Sequence, residues 1–253
     1  MLRSKFFLVL TGSLALGAIA LIDPAAHAGV LEFDFLSTNT FSGTAPAGSL
    51  TAVFTDIVQS NCGAGTSGGC VQLVITSNLA SGENLDPGKA LYLNFNDAKV
   101  PTDLSNLTFT LTANTGFSQA ATVMTGDDTF KPDGDGQMDI LFTYGSATKA
   151  FTTGESQTYL ITDSAGSLAP SDFDFLSDCT SGCGTGGHLA AIHVQNTPSG
   201  GSGSAYVAGT DNNVADTPEP SALALLGSAI AAMGFIRRQR RGGGLEPLVF
   251  TAR

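Results

Sequence analysis

Apolar and polar residues alternate in short runs along the chain: 31–36 (Leu-Glu-Phe-Asp-Phe-Leu), 50–58, 71–76, 90–95, 107–112, 138–144, 158–162, 173–176 and 189–194. A period of two turns one face of a strand inward and the other outward, so each run predicts a half-buried β-strand. Gly, Pro, Asn and Asp separate the runs, and helical periodicity is scarce outside the two ends. About nine strands at regular spacing predict an all-β fold: a single antiparallel β-sandwich, jelly-roll-like, with a closed barrel as the alternative. No repeat period stands out, which argues against a solenoid or a propeller.

Both ends depart from this pattern. Arg3 and Lys5 precede an uncharged apolar run over 6–22, and Ala26-His27-Ala28 places small residues where a signal peptidase reads. Residues 1–28 are therefore expected to form a signal helix cleaved after Ala28, the alternative being a retained anchor. No cysteine stands at the cleavage position, against a lipoprotein. At the other end a second apolar run, 222–236, lies between Pro218-Glu219-Pro220 and the cluster Arg237, Arg238, Arg240 and Arg241. A helix over that run rises only about 22 Å, short of a hydrocarbon core of roughly 30 Å, which makes it marginal as a permanent anchor. The arginines would stay cytoplasmic and leave the preceding chain outside.

These C-terminal residues resemble the PEP-CTERM sorting signal of Gram-negative bacteria, a Pro-Glu-Pro triplet, a short transmembrane segment and a terminal basic cluster, over 217–241. The resemblance implies processing near the triplet by a membrane-embedded exosortase. It also implies a passing stay in the inner membrane through 222–236, and a host that makes exopolysaccharide and biofilm matrix. Residues 242–253 are an atypical tail, since members of that family normally stop soon after the basic cluster, and the tail bears on whether processing proceeds. Between the ends, 29–197 reads as the body. Residues 198–216, with Pro-Ser-Gly-Gly-Ser-Gly-Ser, have linker composition, in which 205–208 is readable as a last edge strand.

Charge sharpens the division. The chain carries a formal −11, but residues 29–220 hold 20 acids against Lys89, Lys99, Lys131 and Lys149, a net −16. Such a body repels nucleic acid and anionic membrane and favours cations. Three segments, 133–142, 151–162 and 186–195, also resemble a group of PEP-CTERM proteins whose bodies have no assigned activity. That likeness implies only a secreted β domain of a matrix or surface protein.

Four sets of residues offer chemistry. Cys62, Cys70, Cys179 and Cys183 form two glycine-flanked pairs. Export to an oxidising compartment favours local disulfides, Cys62 to Cys70 and Cys179 to Cys183, while zinc is the alternative and only the second pair has ligand spacing. Asp133, Asp135, Gln137 and Asp139 alternate as calcium-loop ligands do, with Asp127 and Asp128 able to complete the set. A solvated Asp-Gly turn explains the same residues. The position twelve Glu of an EF-hand is absent, Tyr144 standing there. His188 and His193 are five apart, a spacing that keeps them from sharing a metal on a strand or a helix, so both read as structural. Asp172 and Asp174 share a strand face as a glycosidase pair would, yet no tryptophan and only four tyrosines are present to stack on sugars. The sequence thus predicts an exported, non-enzymatic surface or matrix protein with calcium as its one candidate cofactor. Its partners are signal peptidase, a sorting enzyme and exopolysaccharide, with no nucleic acid. The alternative is a secreted carbohydrate-binding module or carbohydrate-active enzyme acting on exopolysaccharide.

Overall fold

A computed structural model describes residues 29–63, 68–96, 98, 104–145, 151–179, 183, 187–198 and 203–211. The expected signal helix and the short membrane segment 222–236 lie outside them. Among the described residues no helix is long and apolar enough to cross a membrane.

The described residues form β1 (Val30–Gly43), β2 (Ser49–Ile57), β3 (Cys70–Asn78), β4 (Asn84–Leu85), β5 (Leu91–Leu93) and β6 (Leu107–Thr115). They continue with β7 (Thr122–Phe130), β8 (Met138–Thr143), β9 (Ser156–Asp163), β10 (Ala190–Thr197) and β11 (Gly203–Asp211). The all-β class stands. In place of two stacked sheets, however, hydrogen bonding runs unbroken and antiparallel through β6-β9-β3-β2-β1-β11-β10-β5-β8-β7, with β4 beside β10. This single sheet rolls up until it is nearly closed like a barrel. Register shifts in β1, between Phe35 and Thr40 and again before Ser42, kink the longest strand, and further shifts interrupt β6, β7 and β10. Bulges of this kind raise local twist, which lets one sheet curl where flat strands would need two.

The alternation read from the sequence fills the enclosed space. Leu31, Phe33 and Phe35 of β1, Leu50, Ala52 and Phe54 of β2, and Val71, Leu73 and Ile75 of β3 face inward from one half. Leu91, Leu93, Ile140, Phe142, Ala190, Ile192, Val194 and Val207 face them from the other. Phe173 plugs the space, stacked on Phe54 at 4.7 Å and edge-on to Phe95 at 5.5 Å. Such ring pairs add about 0.5–1.5 kcal/mol each beyond their buried area.

Closure rests on one buried polar knot. β9 and β8 are far apart in hydrogen-bonded order, yet Tyr159 and Phe142 meet edge-on at 5.5 Å, as do Phe109 and Phe142. Beside them Gln157, fully buried, accepts at Oε1 from the hydroxyls of Tyr159 (2.6 Å) and Tyr144 (3.2 Å). Its Nε2 donates to the carbonyls of Phe117 (3.1 Å) and Gln119 (2.7 Å) in the β6–β7 link. Tyr159 Oη in turn accepts from the Ala121 amide at 2.9 Å. Every hydrogen-bonding position of the amide is used, which is the condition for burying one without penalty.

The structure departs from the sequence expectation at three places. The run 173–176 is not a strand: Pro170–Phe173 is a 3-10 turn, closed by Asp172 Oδ2 accepting the Ala169 amide at 2.9 Å. The stretch 122–130, not predicted at all, is strand β7. Most consequentially, 203–211 is neither linker nor edge. It is β11, hydrogen-bonded on both sides, to β1 and to β10. Small residues explain both the misreading and the placement. Ala205, Val207, Ala208 and Gly209 are buried, and a Cβ on Gly209 would press on Phe35, Ala190 and Phe33 within 3.0–3.2 Å.

Two predictions follow from the core and the sheet order. A chain ending at residue 200 leaves β1 and β10 each with one bare edge and is expected to lack a cooperative urea transition, whereas one ending at 213 retains it; equal transitions would contradict the central place of β11. Gln157→Leu, which keeps the volume and strands two hydroxyls and two carbonyls, should lower unfolding free energy by about 3 kcal/mol, read from the urea midpoint.

Candidate functional site

The four cysteines pair locally, Cys62 with Cys70 and Cys179 with Cys183, and none is free. The first pair is buried at the foot of β3, while Cys179 is exposed. Each closed loop is short and contributes about 2–3 kcal/mol by restricting the unfolded chain.

The alternating acids of the β7–β8 loop do not converge on one point. Asp133 and Asp135 turn toward the end of β1 and the segment before β10. Asp133 Oδ2 accepts from Ser42 Oγ at 3.2 Å, and Asp135 Oδ1 accepts from Ser177 Oγ at 2.9 Å and from the Gly136 amide at 2.7 Å. Gln137 and Asp139 turn away from them. The Gln137 amide donates to the Asp128 carbonyl, and Asp139 accepts the Asp128 amide at Oδ1 (2.9 Å) and the Phe95 amide at Oδ2 (3.0 Å). Asp139 therefore gathers with Asp127 and Asp128, the three offering carboxylate oxygens within 4.8 Å of one another. The reason is the strand: β8 begins at Met138, and from there the alternation of the pleat, not the loop, sets the direction of each side chain.

Gly136 shows how tightly the loop is overlaid. A Cβ there would lie 2.5 Å from the Asp178 carbonyl and 2.7 Å from Ser177 Oγ. The main chains of Gln137 and Asp178 exchange two hydrogen bonds, of 2.9 and 3.0 Å, in an isolated antiparallel bridge. Ser177 is fixed in turn by its own amide on the His188 carbonyl (2.9 Å) and by the His188 amide on its Oγ (3.0 Å).

A second group escaped the sequence reading. On the outward face of β5, β8, β10 and β11, Tyr92, Leu141, Ala191 and Tyr206 are buried with Met138, and Phe41 and Phe130 pack against them. The rings run in series: His188 stacks on Phe41 at 4.7 Å, Phe41 lies 6.1 Å from Tyr206, and Tyr206 stacks on His193 at 4.2 Å, only 5° from parallel. His193 Nδ1 stands 2.8 Å from Asp86 Oδ2, a pair that is ionic only when the imidazole is protonated. Asp86 comes from the β4–β5 turn, so no local spacing signals the pair; only the inward places of Ile192 and Val194 foretell that His193 points outward. Burial holds the His193 pKa below its ordinary value, and Lys89 adds to that, while Asp86 and Asp133 partly oppose it. Burial also raises the Tyr92 hydroxyl well above its ordinary range, reinforced by Tyr206. Asp172 and Asp174, weighed in the sequence and set aside as a glycosidase pair, differ in burial: Asp172 is buried in its turn and Asp174 is exposed.

Ala26 and Ala28 of the cleavage site, Pro218, Glu219 and Pro220, and Arg237, Arg238, Arg240 and Arg241 lie outside the described residues. For the last seven, comparison with known families is informative. A family model for the PEP-CTERM protein-sorting motif matches residues 216–241. No curated protein and no solved structure matches the chain. The chain thus bears the signal of an exported protein sorted at its C terminus to the cell surface by an exosortase-type enzyme.

The neutral state of His193 sets a pH dependence. Because its folded pKa is lowered, the unfolded chain takes up a proton below about pH 6.5 that the folded chain refuses, so this contribution is intact above that pH and lost as pH falls. Between pH 6.5 and 5 the melting temperature should decline in the native protein and decline less in His193→Phe, which keeps the stack on Tyr206. Parallel profiles would remove His193 as the cause.

Proposed function

We propose that this exported, C-terminally sorted protein is a structural component of the cell surface or extracellular matrix, associated with exopolysaccharide, and not an enzyme. The sorting motif at 216–241 carries the reading, since it addresses the body to the surface and says nothing of turnover. The body suits that destination. Its sheet is rolled nearly closed, which leaves few strand edges to pair with other chains, and its two disulfides suit an oxidising compartment, where such bonds form and persist. Its excess of acids over bases makes cations its natural company, and calcium serves in this reading as a stiffening ion.

A second reading, a carbohydrate-binding module or carbohydrate-active enzyme working on exopolysaccharide, draws on the ring series of His188, Phe41, Tyr206 and His193 on the outward face. The fully buried state of Tyr92 and the near-burial of Tyr206 weigh against it, because a sugar stacks on an exposed ring face.

The two readings part in cells. Replacing Pro218, Glu219 and Pro220 with alanine is expected to hold the protein at full size in the membrane fraction and to weaken matrix cohesion to the level of a deletion strain. Purified full-length protein should leave exopolysaccharide chain length unchanged. Cleavage of that polymer, or a matrix indifferent to loss of the protein, would sink the structural reading.

A further inference from the structure

The β7–β8 loop holds a carboxylate oxygen for which the fold provides nothing. Asp135 is fully buried, and its Oδ1 is occupied by Ser177 Oγ and the Gly136 amide. Its Oδ2 is enclosed and has no hydrogen-bond partner among the described residues. Desolvating an ionised oxygen without a counter-charge is among the costliest arrangements a protein tolerates. The species that suits a lone carboxylate oxygen without asking it to donate is a hard cation.

We infer that Asp135 is the inner ligand of a calcium ion seated in the 133–136 turn, with the Asp133 carboxylate as the outer ligand and neutral oxygens completing the shell. Calcium accepts irregular sets of carboxylate, carbonyl and water oxygens, which a turn can supply and a rigid octahedral magnesium shell cannot use as well. Ser177 is a positioning residue: it holds Oδ1, so that Oδ2 is the oxygen presented to the ion. The ion would join three parts of the chain remote in sequence: the turn itself, Ser42 at the end of β1 through Asp133, and Ser177 with its partner His188. Asp139 is outside this set, its two oxygens being turned to the amides of Asp128 and Phe95. The inference rests on the reading of calcium as a stiffening ion and names the place where it acts.

The test uses the full chain, stripped with chelator, and calcium chloride alone as the probe, with binding followed by isothermal titration and thermal melting. Wild type is expected to take up one calcium per chain and to melt higher as calcium rises. Asp135→Asn should abolish that response and, in chelator, melt at or above the wild type, because it removes a buried charge. Should that variant fail to fold, Ser177→Ala is expected to weaken calcium binding about tenfold, as loss of a positioning contact typically does. Asp139→Asn should leave the affinity unchanged. Binding that survives Asp135→Asn and disappears in Asp127→Asn or Asp139→Asn would overturn the Asp135 site while leaving a calcium-stiffened protein in place. A wild-type protein indifferent to calcium would overturn both.

Discussion

The roll of the sheet depends on a single buried amide. Without Gln157 the two ends of the hydrogen-bonded path, β9 with β6 and β8 with β7, would face each other across hydroxyls and carbonyls with nothing to satisfy them. The aromatic contacts at the seam, Phe142 with Tyr159 and with Phe109, supply attraction but not direction, since apolar packing tolerates sliding. The amide supplies direction: it allows one register of the β6–β7 link against the two tyrosines. Everything carried on the outside, the loops above β8 and the ring series above β10, inherits its position from that choice.

The strands whose apolar residues are large were plain in the sequence. Leu31, Phe33 and Phe35, or Val71, Leu73 and Ile75, write a period of two that no other structure explains. The failures occur where burial is achieved by other means. β11 is buried through small residues beside a Gly-Ser stretch, so composition hid a strand in the middle of the sheet. β7 carries Gly126, Asp127 and Asp128, and its half-buried apolar residues Val123 and Phe130 pack against different clusters, too far apart to set a rhythm. Phe173 and Phe175 do alternate, yet Pro170 and Asp172 turn the chain first.

The acid loop shows a different limit. Its spacing was legible; the direction of each carboxylate was not. Direction depends on where the loop ends and the pleat begins, and that boundary at Met138 is fixed by pairing with Phe130, far from any ligand logic. Likewise His193 and Asp86 meet only because β10 runs beside the β4–β5 turn, a neighbourhood written in the topology and nowhere in the local sequence.

The position of β11 also governs timing. Its partner β1 opens the described chain and β11 closes it, so the pair joins the two extremes of the body. A chain that crosses a membrane N terminus first delivers β1 early and then holds that strand, and later β10, with a bare edge until the last segment arrives. Only six residues, 212–217, then separate Asp211 from Pro218, a reach of about 25 Å at full extension. The body can finish folding only when its sorting signal is already at the membrane, so completion of the sheet and presentation of the signal to the sorting enzyme are nearly a single event.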